Sequence, residues 1–127
     1  MDGGPEESPP LTVRCDFHAG AVVVAASGEL DLDTVPDLER HVVAAVEAAT
    51  ACTSTAVVVV DLTLVSYVDS SGLNMLVRCH ELALRHGLGL RVAASDRRVL
   101  RPIAATSLER VLDLYPTTAE ALVLPTA

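Results

Sequence analysis

The chain has 127 residues and a net charge of −8; half the residues are hydrophobic, yet there is no tryptophan, one phenylalanine and two tyrosines. That length suits one domain with an aliphatic core, and the acidic balance argues against nucleic acid as a partner. No run reaches the roughly 18 apolar residues that span a bilayer, so no membrane association is expected.

Residues 1–10 are acidic and rich in proline and glycine. They lack the basic start and apolar run of a signal peptide and read as a disordered tail before a domain over 11–127. Leu11 to Phe17 alternates apolar and polar residues, the pattern of a half-buried edge strand. Ala19-Gly20 turns the chain into Val22–Ala26, a more buried strand, so the two form a hairpin. Gly28-Glu29-Leu30-Asp31 leads off its end. Asp33 or Thr34 caps a helix whose stripe is Val35, Leu38, Val42, Val46 and Ala49. After a polar connection, Val57–Val60 reads as a central parallel strand that ends in a loop at Asp61-Leu62.

A second helix starts at Ser70 or Ser71, presents Leu73, Leu76, Val77, His80 and Leu84 on one face, and stops at Gly87. Leu88, Leu90 and Val92 mark the next strand. Ser95 or Asp96 caps a short third helix with Arg97, Arg98 and Arg101 on its solvent side. Val111–Leu114 is a last strand, and Thr117 or Thr118 caps a final helix carrying Ala121 and Leu122. Helical crossovers between strands imply an α/β fold: a mostly parallel mixed sheet of about five strands, about four helices and one antiparallel edge strand.

The residue types remove several chemistries. The chain contains no lysine, which excludes a phosphate-binding nucleotide loop and leaves a phospho-accepting receiver domain at Asp61 without its basic partner. Ser70 has Gly72 two residues after it but Val68 two before it, so half of a hydrolase elbow is missing. His80 and His86 share its helix and are poorly placed to act as its base. Cys79 and His80 are adjacent and point to different helix faces. Cys15, Cys52 and Cys79 include no Cys-x-x-Cys pair, which fits a reduced, cytoplasmic protein with small buried thiols better than a zinc site or disulfides. No enzyme activity, cofactor or metal is expected.

What remains is a charge asymmetry and a hydroxyl. Residues 1–75 hold two arginines against twelve acids, whereas residues 76–127 hold seven arginines against five. Glu29, Asp31, Asp33, Asp37 and Asp69 supply much of the negative half, either as a solvated surface or as a face that meets a basic partner. Val68-Asp69-Ser70-Ser71-Gly72-Leu73 places hydroxyls where a new helix presents unpaired N–H groups and the positive end of its dipole, a site ready for a phosphate. A serine there can also serve only as a cap. The residues alone leave both readings open.

Together, Gly28-Glu29-Leu30-Asp31, the Asp-Ser-Ser-Gly-Leu motif after a Val-rich strand, and the order of elements resemble the STAS domain. More narrowly, they resemble the stand-alone anti-sigma factor antagonists of bacteria, from about Leu11 to Leu124. The resemblance implies that Ser70 is phosphorylated by a partner that is both an anti-sigma factor and an ATP-dependent serine kinase, and that a serine phosphatase restores it. It implies that Asp31 and Glu29, with Asp69, Ser70, Ser71 and Gly72, shape the partner surface. Asn74 stands where the family often has a small residue. The alternative role within the resemblance is an interaction subunit of a larger assembly, such as a stress-signalling complex or a lipid-transport machine, without sigma release.

Overall fold

The computed structural model describes residues 11–123; the expected tail and the last residues of the expected domain lie outside this range. The chain forms β1 (Thr12–His18), β2 (Ala21–Leu30), α1 (Val35–Thr50), β3 (Val57–Val68), α2 (Ser70–Arg85), β4 (Gly89–Ala93), α3 (Arg97–Ala105), a 3-10 turn at Leu108–Arg110, β5 (Asp113–Tyr115) and α4 (Thr118–Ala121). The strands form one sheet in the order β1-β2-β3-β4-β5. β1 is antiparallel to β2, and every other pairing is parallel. The expected α/β mixed sheet with an antiparallel edge is therefore the observed one.

The parallel strands advance in one direction across the sheet. Crossovers of one hand then place α1, α2 and α3 on the same face. The main core lies there, with Val58, Val60, Leu62, Val65 and Val68 of β3 under Leu38, Val42 and Val46 of α1 and Leu73, Leu76 and Cys79 of α2. Full burial of each large aliphatic side chain contributes about 1.5–3 kcal/mol. The other face carries a smaller core of Ala21, Val23, Val57, Val59 and Ala93, covered by Ala121 of α4. Arg91 ties α4 down: its Nη1 donates to the carbonyls of Ala121 at 2.9 Å and Val123 at 2.7 Å, and its guanidinium lies 5.3 Å from the centre of the Tyr115 ring.

Several expectations change. The first strand lies at the edge as expected but is not half-buried: of its seven residues only Val13 is part-buried and the rest are exposed. β3 does not end at Leu62 but runs on to Val68, so Asp61 lies inside the strand. Its pairing with β2 shifts between Ala25 and Ser27, and again between Gly28 and Glu29. Each shift inserts one extra β3 residue, so buried positions recur at Leu62, Val65 and Val68, while Leu64 and Tyr67 are exposed. A two-residue period is thus masked. On α2 the buried face is Gly72, Leu73, Met75, Leu76, Cys79 and Ala83; Leu84 is exposed, and Val77 and His80 are only half-buried. At the start of this face Gly72 lets the helix approach Leu30 and Val68 closely. The last strand is Asp113–Tyr115, displaced by the 3-10 turn before it. Cys15 and Cys52 are exposed, and only Cys79 is a buried thiol.

α2 ends as expected at Gly87, whose φ is +75°. The N–H of Leu88 reaches the Ala83 carbonyl at 2.9 Å and that of Gly87 reaches Leu84 at 3.0 Å, which closes a Schellman motif. Leu76 has no exposed surface. Replacing Leu76 with Ala is expected to lower unfolding free energy by about 2–5 kcal/mol, read as a reduced urea midpoint at unchanged slope.

Candidate functional site

The site sits where β2 and β3 end side by side. Their last paired residues are Leu30 and Val68, so the register alone makes Asp31 and Asp69 neighbours. The Asp69 N–H then donates to the Leu30 carbonyl at 3.1 Å. In return, Asp69 Oδ2 accepts from the Leu32 N–H at 3.2 Å. One residue therefore joins the β2–α1 loop to the start of α2.

Asp69 is also the cap of α2. Its Oδ1 accepts from the Gly72 N–H at 3.1 Å and from the Ser71 hydroxyl at 2.5 Å. This removes the reading in which Ser70 caps the helix. Ser70 is the first helical residue, exposed, and its hydroxyl makes no hydrogen bond among the described residues. No acidic residue occupies the first turn of α2 after the cap, so the dipole end beside Ser70 is offset only by Asp69.

The opposite wall is equally ordered. Asp31 Oδ1 accepts from the N–H groups of Asp33 at 3.0 Å and Thr34 at 3.1 Å. Thr34 Oγ1 donates to the Glu29 carbonyl at 2.8 Å and accepts from the Asp31 N–H at 2.9 Å. Thr34 is the residue before α1 but makes no side-chain cap bond to the helix; it staples the loop instead. Asp31, Asp69, Ser70 and Ser71 are thus brought to one corner of the surface, whereas Gly72, expected among the partner-facing residues, is buried against Leu30 and Val68 and serves the turn instead. Glu29 contributes its backbone, and its exposed side chain lies near enough to Arg98 to add to that residue's positive character after Asp96, its main partner. Arg98 grips Asp96 through Nη2 at 2.8 Å and Nε at 3.1 Å. Arg97 and Arg101 are exposed, in keeping with a solvated face.

Sequence reasoning passed over Leu32. It is 72% exposed between two aspartates and is oriented by the Asp69 bridge. Its signal was available as a lone leucine in an acidic loop, outside any apolar period.

Gly72 is required by close approach. A Cβ there would come within 2.6 Å of Val68 Cγ2 and 3.1 Å of Leu30 Cγ. Gly72→Ala is expected to cost about 1–3 kcal/mol through overpacking, measured by urea denaturation.

Burial pushes the Asp69 carboxyl up, but donation from the Ser71 hydroxyl and from the Gly72 and Leu32 N–H groups outweighs it and holds the group below its ordinary value. A carboxyl whose folded value is depressed contributes stability that is complete above its unfolded value of about 3.9 and fades as pH falls through the folded value. Asp69→Asn should therefore lower the urea midpoint at neutral pH, with the gap to wild type closing as the solution is acidified below that range.

Comparison with known proteins agrees with this architecture. The STAS domain family model matches residues 12–121. The anti-sigma-F factor antagonist RsfA of Mycobacterium tuberculosis is 31% identical over 112 residues, covering 88% of this chain and 85% of that protein. The crystal structure of an anti-sigma factor antagonist from Mycobacterium paratuberculosis superposes with a TM-score of 0.79 at 34% identity, covering 91% of this chain and 96% of that one. The Bacillus protein SpoIIAA shares the fold at lower identity. Its unphosphorylated form gives a TM-score of 0.69 at 16% identity, covering 87% of this chain and 93% of that one. Its phosphorylated form gives 0.63 at 15% identity, over 87% and 96%. The chain belongs to the STAS domain family, in its anti-sigma factor antagonist branch.

Proposed function

We propose that this protein is an anti-anti-sigma factor whose Asp31–Leu32–Ser70 surface docks on an anti-sigma factor and so releases a sigma factor. The partner is also a serine kinase: it transfers the γ-phosphoryl group of ATP to Ser70 Oγ, and the hydroxyl proton leaves. A serine phosphatase hydrolyses the phosphoester and restores docking. The protein is the substrate in this cycle rather than a catalyst, and the cycle is cytoplasmic. The observation that carries the reading is the division of labour at α2. Asp69 caps the helix, and Ser70 is left with an exposed, uncommitted hydroxyl.

The physical basis of the switch is electrostatic. A phosphoryl group adds about −1.5 to −2 charges. The helix dipole returns roughly 0.3–1 kcal/mol. Asp69 is the preceding residue and Asp31 lies at the end of the neighbouring strand. A partner surface that accepts these acids must then accommodate a further dianion, and mismatched charges in a docked interface cost several kcal/mol. The prearranged loops make a backbone rearrangement unnecessary. Leu32, held outward beside the serine, supplies the apolar contact that desolvates the docked face. Both a phosphorylated and an unphosphorylated form of SpoIIAA, which shares this fold, are known.

Ser70→Asp is expected to weaken binding to the anti-sigma partner tenfold or more, about 1.4 kcal/mol, by isothermal titration calorimetry. Ser70→Ala should bind as wild type and take up no phosphate from labelled ATP. Equal binding of wild type and Ser70→Asp would sink the electrostatic switch.

A further inference from the structure

The β1 edge carries an unpartnered strand with an unusual pattern. Among the described residues nothing pairs with its outer side. Edge strands are normally guarded by bulges, proline, lysine or shortness. β1 has no bulge, proline or lysine and is not short: it is seven residues, Thr-Val-Arg-Cys-Asp-Phe-His, in unbroken register with β2. Its two charges, Arg14 and Asp16, are of opposite sign and so do not repel a second copy placed in the right register. Cys15 is exposed, and Phe17 is 74% exposed, the largest exposed fraction among the described large hydrophobics.

We propose that β1 is a self-association surface, on which two copies pair their β1 strands antiparallel about a two-fold axis at Cys15. A two-fold interface must be complementary to itself, and this strand is so in that register. Arg14 faces Asp16 of the second copy, and Asp16 faces its Arg14. On the opposite side of the strand, Val13 faces Phe17, and Cys15 faces Cys15. Arg14 and Asp16 share one side because their β2 partners, Ala25 and Val23, are two residues apart. Val13, Cys15 and Phe17 pair with Ala26, Val24 and Val22, and so lie on the helix-bearing face. Moving the axis to Arg14 or to Asp16 sets like charges directly opposite, which is destabilising. The charges therefore select Cys15 among the three central axes, and an axis at Val13 or Phe17 would pair only three residues of each strand instead of all seven. The two sheets become continuous through main-chain hydrogen bonds, as in β-strand addition. This inference does not rest on the role of Ser70.

The test uses the full chain in sedimentation velocity over a concentration series. Wild type should show a reversible monomer–dimer equilibrium. Arg14→Asp and Asp16→Arg, each made alone, set like charges opposite in both symmetric pairs and should weaken the dimer about tenfold or more. The double variant exchanges the charges and should restore it, which a mere folding defect would not do; circular dichroism confirms that each variant folds. Directly opposed Cβ atoms lie roughly 5 Å apart, so a short bismaleimide should link Cys15 to Cys15. This is done in a Cys52→Ser background, because Cys52, lowered to about 7 mainly by the Ser54 hydroxyl, would consume reagent first. A chain that sediments as a monomer at every concentration overturns the proposal. So does a dimer that the folded charge variants leave unchanged, or one that is not linked through Cys15.

Discussion

The carboxylate of Asp69 is the interaction on which the site depends. It accepts from Gly72 and Ser71 in its own helix and from Leu32 across the sheet edge. A single side chain thus caps α2, fixes the acidic loop after β2 and frees Ser70 from a structural duty. Its position is not independently arranged. It follows from the parallel pairing of β2 and β3, which ends at Leu30 and Val68, and from Gly72, whose missing side chain lets the helix start against those two residues. Removing any of these parts would disturb both walls of the surface at once.

The rest of the fold serves to hold that corner still. α1 and α2 bury aliphatic stripes on one face of the sheet, and among the described residues no fully buried core side chain is aromatic, Tyr115 packing only part-buried against the smaller core. Close packing of branched aliphatic residues leaves few alternative arrangements. The loops at the strand ends are held by short side-chain bonds rather than by bulk. Such a surface can respond to a local charge without reorganising the domain, which is what the proposed switch at Ser70 requires.

Much of this was readable from the residues. The strict alternation of Leu11–Phe17 marked an edge strand, the Val57–Val60 run marked a central one, and Gly87 marked a helix end. The motif around Ser70 was visible, as were the acids facing it. The second half of β3 was not, because two register shifts stretched its buried spacing from two residues to three, a spacing that resembles no regular strand. The buried face of α2 was misplaced toward Val77, His80 and Leu84. The buried face instead runs through Gly72, Met75, Cys79 and Ala83, of which Gly72 is set by close approach to Leu30 and Val68 and carries no apolar side chain for a pattern to register. The bridge from Asp69 to Leu32 spans 37 positions and exists only through strand register, which no local pattern encodes.

The aromatic composition has an optical consequence. With no tryptophan in the chain, ultraviolet emission comes from two tyrosines in contrasting settings. Tyr115 lies beneath the Arg91 guanidinium and donates to Asp113. Tyr67 is exposed and sits opposite Glu29 in the sheet, one residue before the strand pair that leads into the acidic corner. The protein thus carries its own unlabelled reporter at the rim, with an internal reference fixed at the far edge of the sheet.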